Sequence, residues 1–121
     1  MASFKAEGEI IQWTNGTGST KTSGTVVPIG NILGVVLADI ANAATGSVAI
    51  EGVFPCPKAS AAVIAQGEGL TWDVSAGNFD DNAATPATGD ITGPPAVAYE
   101  AAGNGVTSFM VKFTGVPGTK T

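Results

Sequence analysis

The stretch Gly46–Lys58, GSVAIEGVFPCPK, constrains the fold more strongly than any other part of the chain. Its residues alternate between two faces, and the apolar or small residues on one of these faces are Val48, Ile50, Gly52, Phe54 and Cys56. A period of two is typical of a half-buried strand. Pro55 and Pro57 close the stretch, because a proline cannot donate a ladder hydrogen bond. We interpret it as the central strand of an all-β domain, with a bulge or tight bend at Gly52.

Further strand-like segments, separated by turns rich in Gly, Asn and Pro, recur along the chain. Their predicted bounds are Glu9–Thr14, Gly24–Ile29, Ile32–Ala38, Gly69–Val74, Thr92–Ala101 and Val106–Thr114. A short helix is predicted between Ser60, as its cap, and Gly67. About seven short strands with at most one short helix predict a small single-domain β-barrel or sandwich.

The length of 121 residues suits one domain with a modest core. We expect an N-terminal arm over residues 1–8, a β-barrel domain over residues 9–114 and a C-terminal tail over residues 115–121. Trp13 and Trp72 are expected in the core, since a small β-domain needs large side chains to fill it.

The chain is poor in charge: 12% of its residues are charged, about half of the usual ~25%. Hydrophobic residues make up 44%, and Arg and His are absent from the sequence. The surface must therefore consist largely of Ala, Gly, Ser and Thr. Such a surface favours packing against neighbouring molecules.

Charge and hydropathy argue against two classes of partner. The net charge is −5 and the five Lys residues are scattered, so no basic stripe is available to neutralise phosphates. The longest apolar run, Ile32–Ala38, is too short to cross a bilayer. We therefore expect neither nucleic acid nor a membrane as a partner.

The residue types needed for common catalytic sites are missing. Without His there is no Ser-His or Cys-His nucleophile pair. Cys56 lies between two prolines on the predicted inward face and is interpreted as a small buried hydrophobe. Four aspartates, which flank a long loop, could gather around calcium: Asp73, Asp80, Asp81 and Asp90. Because Asp in turns usually binds the backbone and the EF-hand spacing is absent, we predict no metal, no cofactor and no enzymatic activity.

Two motifs carry a resemblance to a known family. The stretch GSVAIEGVFPCPK, followed by an Ala-rich segment and Gly67-Glu68-Gly69-Leu70-Thr71-Trp72-Asp73, resembles the small phage proteins known as capsid cement or head decoration proteins. The family pattern has Val where Ile50 stands and Gly-Asp where Glu68-Gly69 stands. Its last motif is wider here, at Thr92–Ala96. The resemblance runs from about Val26 to Phe113.

The resemblance implies a structural virion protein that decorates and stabilises a phage capsid by binding its outer surface. The implied partners are the major capsid protein and further copies of the chain, most readily as a homotrimer, and the protein would be made in the host cytoplasm. The alternative is a β-rich binding module of the virion, for surface or carbohydrate attachment. Such modules usually expose aromatic or clustered polar side chains on their loops, whereas the loops here are mostly Ala, Gly, Thr and Asn.

The N-terminal arm is the predicted contact segment, with Phe4 as its apolar anchor. We expect it to lie extended on the capsid or on a neighbouring subunit. The predicted contact residues are Ala2, Ser3, Phe4, Lys5, Ala6 and Glu7.

Overall fold

A computed structural model describes residues 8–121. Over this range the chain forms ten β-strands and no helix, arranged in two antiparallel sheets. The strands are β1 (Ile10–Thr14), β2 (Val26–Ile29), β3 (Ile32–Val36), β4 (Thr45–Ala49), β5 (Glu51–Pro57), β6 (Gly69–Asp73), β7 (Asn78–Asp80), β8 (Ile91–Ala98), β9 (Ser108–Thr114) and β10 (Thr119–Lys120). The all-β prediction is confirmed, and the two sheets give a sandwich-like architecture.

The predicted central strand Gly46–Lys58 is wrong as a single element. The chain leaves the first sheet after β4 and enters the second sheet with β5, so the break falls at Ile50. Gly52 has a φ of +128°, which L side chains rarely adopt, and this agrees with the bend predicted there. β5 is an outer strand of the sheet order, and this position suits Pro55 and Pro57, which cannot donate ladder hydrogen bonds.

The first sheet has the order β1-β4-β3-β2. Residues in register share a face, so Val35, Ala49 and Ile10 lie on one face of it. The opposite face carries a small core of its own. It consists of the buried side chains of Val27, Val36, Ile40 and Val48, with Ile11, Trp13, Ile29 and Ala44 packed against them.

The second sheet has the order β5-β9-β8-β6-β7, and β10 pairs with β8. Its ladder is irregular where Gly69 pairs with Val97 but the next residue, Leu70, pairs with Gly93. Pro94 lies within the skipped segment of β8 and has no N–H for the ladder. The widened last motif of the sequence therefore corresponds to a bulge.

The main core lies between the two sheets. Phe79 is fully buried at its centre, with its ring centroid 4.8 Å from that of Trp72, 6.4 Å from Phe109 and 6.1 Å from Phe113. The first sheet contributes Val26, Leu33 and Val35 to the same cluster. Trp72 is in this core as predicted, whereas Trp13 is half-buried on the smaller core of the first sheet.

The predicted helix after Ser60 is wrong. Ile64 instead exchanges two backbone hydrogen bonds with Ala102, at 2.8 and 3.0 Å. The Glu68 carboxylate accepts the N–H of Ala65 at 2.9 Å and fixes the turn that follows. Long-range pairing and a side-chain acceptor thus supply the hydrogen bonds that a short Ala-rich helix would have made within itself.

Candidate interaction surface

The predicted contact residues Ala2, Ser3, Phe4, Lys5, Ala6 and Glu7 lie outside the described residues. The chain is described from Gly8, and the Glu9 carbonyl accepts the N–H of Ile50 at 2.8 Å. Gly8 and Glu9 therefore lead into β1 beside the point at which the chain passes from one sheet to the other.

A groove of about 600 Å³ runs along β2. The consecutive residues 23–28 line it together with Trp72, Val74 and Gly77, which belong to β6 or follow it. Most of the lining is apolar, and Lys21 is the charged residue that borders it. The lining residues are Trp13, Thr17, Lys21, Ser23, Gly24, Thr25, Val26, Val27, Pro28, Pro57, Trp72, Val74 and Gly77.

The strand that borders this groove has an open edge. β2 pairs with β3 and with no other strand in residues 8–121. Val36 donates its N–H to the Thr25 carbonyl at 2.9 Å. Because hydrogen-bonded and non-hydrogen-bonded pairs alternate in an antiparallel ladder, the backbone groups of Val26 and Pro28 point away from β3. Pro28 has no N–H, so the open edge offers the N–H of Val26 and the carbonyls of both residues.

Trp72 borders the same groove and is 4% exposed. Its Nε1 is the buried side-chain nitrogen or oxygen without a hydrogen-bond partner in the described part of the chain. Because a buried donor without a partner costs free energy, this N–H destabilises the fold relative to a donor that has an acceptor.

Large apolar side chains are also exposed elsewhere on the surface. Val63 is 66% exposed and Tyr99 is 55% exposed. The others are Ile10, Leu37, Val53, Val74, Val106 and Val116. Together with the low charge content, these side chains provide the surface for packing against neighbours that the composition predicts.

The side chain of Asn15 connects two loops. The sequence indicates only that Asn15 and Gly16 form a turn. The Asn15 side chain is fully buried, and Nδ2 donates to the carbonyls of Ser19 at 2.8 Å and Ile40 at 2.9 Å. Oδ1 accepts the N–H and the hydroxyl of Thr17. Every polar group of the amide is thus satisfied in the interior.

Lys58 is a buried lysine and is 3% exposed. Its Nζ donates to the carbonyls of Ala59 at 2.9 Å, Val106 at 3.1 Å and Ser60 at 3.4 Å. Its backbone forms a parallel bridge with Phe79, which links the end of β5 to β7. Lys58 is the last residue of the first motif of the family resemblance, but the sequence does not indicate that it is buried. A buried ammonium group needs hydrogen-bond acceptors, and the fold supplies them as backbone carbonyls.

The four aspartates that were considered as calcium ligands bind the backbone, as is expected of Asp in turns. Asp90 is buried, and its two carboxylate oxygens accept the N–H groups of Val74 at 3.1 Å and Ala87 at 2.9 Å. Asp80 and Asp81 each accept a backbone N–H within two residues. Across residues 8–121 there is no group of three or more metal-ligating side chains of the His, Cys, Asp or Glu type.

Asp73 caps the turn that follows β6. Its Oδ1 accepts the N–H of Ala76 at 3.0 Å and the N–H and hydroxyl of Ser75. The bond from Ala76 and then the hydroxyl of Ser75 hold the pKa of Asp73 below its ordinary value. The charged form is therefore the one that the turn stabilises.

Cys56 is buried between the sheets at 1% exposure, as predicted. Burial raises the pKa of its thiol to about 12. Because the thiolate is the nucleophile, the side chain is an inert part of the core at neutral pH.

No helix within residues 8–121 combines the length and apolar character needed to cross a membrane. No protein with a curated description matches the chain. The sequence model of the family described as phage cement protein matches residues 5–113, which is most of the chain. This range extends the resemblance noted from Val26 to Phe113 toward the N-terminus. The chain therefore belongs to the phage cement protein family, whose members are structural, non-enzymatic proteins that bind and cement the virion capsid.

Proposed function

We propose that the protein binds the outer surface of the capsid as a homotrimer at local three-fold positions and stabilises the shell there. The family match over residues 5–113 carries this proposal. The charge-poor surface and the exposed apolar side chains support it, because such patches are stabilised when a closed ring buries them.

We assign the contact with the capsid or with a neighbouring subunit to the N-terminal arm, Ala2 to Glu7. Burying the Phe4 side chain contributes roughly 1.5–3 kcal/mol per copy. Repetition over a lattice of sites multiplies this modest energy through avidity. An extended arm also carries backbone groups that can pair with an exposed strand edge of a capsid or cement subunit.

The experiment compares capsids with and without the protein. Shells lacking it are mixed with the wild type or with a chain lacking Met1–Ala6, washed, and analysed for retained protein and for the temperature at which they break. We expect the wild type to remain bound and to raise this temperature, and the truncated chain to be washed away. Equal retention of the two proteins would contradict the role of the arm, and an unchanged breaking temperature would contradict stabilisation.

One substitution distinguishes the contribution of the Phe4 side chain to binding from that of the arm's backbone. Phe4→Ala keeps every backbone group but removes the apolar side chain, so we expect weaker retention than that of the wild type. Ser3→Ala serves as the matched control in the same segment and should leave retention unchanged.

A further inference from the structure

We propose that the groove beside β2 binds residues 1–7 of a neighbouring copy of the chain, which add as a strand to the open edge of β2. This inference rests on the proposed oligomer and names the surface through which its copies contact one another. Of the two partners considered for the arm, the capsid and a neighbouring subunit, it selects the neighbouring subunit.

The groove offers both kinds of contact that an added strand uses. The N–H of Val26 and the carbonyls of Val26 and Pro28 supply main-chain hydrogen bonds, while the apolar walls accept side chains. A volume of about 600 Å³ lies in the range of sites that hold small ligands. It therefore has room for a phenylalanine side chain and the adjoining backbone.

The arm has the sequence pattern of such a strand. Its apolar residues Ala2, Phe4 and Ala6 alternate with Ser3, Lys5 and Glu7. In an extended chain this alternation places the apolar side chains on one face. The four residues of β2 span about 13 Å, a length that the segment from Ala2 to Ala6 matches.

The position of β1 favours the arm of a neighbour over the arm of the same chain. β1 and β2 are the two outer strands of the first sheet, so a strand added beside β2 lies four spacings, or about 19 Å measured along the sheet, from β1. An extended chain covers at most about 14 Å between Ala6 and Ile10. The chain's own arm could therefore reach this position only by cutting across the curvature of the sheet, whereas a neighbour's arm is not limited in this way.

A contact of this kind joins two different surfaces and is head-to-tail. Head-to-tail contacts produce a ring when the rotation between subunits closes. The same contact repeated around a local three-fold axis would give each subunit one donated arm and one filled groove.

The test is cross-linking between two singly substituted full-length chains on capsids. Copies with Ser3→Cys, which keep Phe4, are mixed with tagged copies with Thr25→Cys, which lines the groove, and treated with a short bismaleimide. Tagged copies with Val63→Cys, whose side chain is 66% exposed outside the groove, are the matched control. Cys56 is buried, and a sample with Ser3→Cys copies alone measures any contribution from it.

We expect the Ser3–Thr25 pair to give roughly tenfold or more covalent dimer than the Ser3–Val63 pair, because a docked arm has a high effective concentration at the groove. Equal yields on capsids that retain the wild-type protein would overturn the groove assignment alone. Failure of the wild type to bind capsids would overturn the proposed function itself.

Discussion

The side-chain amide of Asn15 donates to the backbone carbonyl of Ile40 at 2.9 Å, although 25 positions separate the two residues. This bond joins the loop after β1 to the loop after β3. The side chain of Ile40 belongs to the smaller core of the first sheet. The backbone repeats the connection, because Asn15 donates to Ala44 and accepts from Ala43. One buried side-chain amide and two backbone hydrogen bonds of the same residue thus connect the loops that follow β1 and β3.

Asn15→Asp tests this role. The substitution keeps Oδ1 as an acceptor for Thr17 but places a carboxylate oxygen against the carbonyls of Ile40 and Ser19. We expect a loss of about 2–3 kcal/mol in the free energy of unfolding, measured by urea denaturation. Asn42→Asp is the control, since exposed Asn42 only accepts from Gly18 and should change stability by less than about 0.5 kcal/mol. Equal effects of the two substitutions would contradict the assignment.

Lys58→Met tests the buried ammonium group. Methionine keeps an unbranched side chain one atom shorter than lysine but leaves the carbonyls of Ala59 and Val106 without their donor. We expect a loss of about 2–4 kcal/mol in the free energy of unfolding. Exposed Lys112→Met should be close to neutral in the same denaturation experiment. A stable Lys58→Met protein would show that water replaces the ammonium group without cost.

Cys56 should make the protein less stable at alkaline pH. The thiol has a pKa of about 12 in the folded protein against 9.0 as its ordinary value, so between these values the unfolded chain releases a proton that the folded chain keeps. Its contribution to stability is therefore complete below about pH 9 and declines as the pH rises toward 12. Thermal unfolding from pH 8 to 10.5 should show a steeper decline for the wild type than for Cys56→Ala.

The same burial predicts the reactivity of the thiol. In the native protein at pH 8, Ellman's reagent should react with Cys56 far more slowly than in the urea-unfolded protein. Rapid labelling of the native protein would contradict the burial of this side chain.

Gly52→Ala tests the bend at the start of β5. Because φ is +128° there and an added Cβ would lie 3.1 Å from the Phe54 ring, we expect a loss of about 1–3 kcal/mol. Gly103→Ala is the control, since a Cβ at Gly103 meets no atom within 4 Å and no unusual φ is required. Chemical denaturation of both variants would decide the matter, and a neutral Gly52→Ala would show that the bend does not need glycine.

Much of the fold could be predicted because alternation and turns are local signals. The alternation predicts strands at Glu9–Thr14 and Val106–Thr114, and the observed strands run from Ile10 to Thr14 and from Ser108 to Thr114. The alternation of Gly46–Lys58 also holds across β5, where Phe54 and Cys56 point inward and the residues between are exposed. A period of two does not indicate which sheet a strand joins, so the break at Ile50 could not be read from it.

The parts that the sequence did not predict depend on distant partners. Residues 60–67 have good helix formers, but Ile64 pairs with Ala102. Asn15 and Lys58 are polar residues that look like surface positions until the fold brings backbone carbonyls to them. The groove beside β2 combines residues that are far apart in the sequence, from Trp13 to Gly77. The contact residues Ala2 to Glu7 lie outside the described residues, so their role stays a prediction.

The most direct test of the central claim is a cryo-electron microscopy map of intact virions that contain the protein. We expect a regular lattice of its density over the outer surface of the head, in clusters of three around local three-fold positions. Isolated single copies without mutual contacts would contradict the trimer. A bare head surface, with the protein found only on the tail or fibres, would contradict the capsid-binding account as a whole.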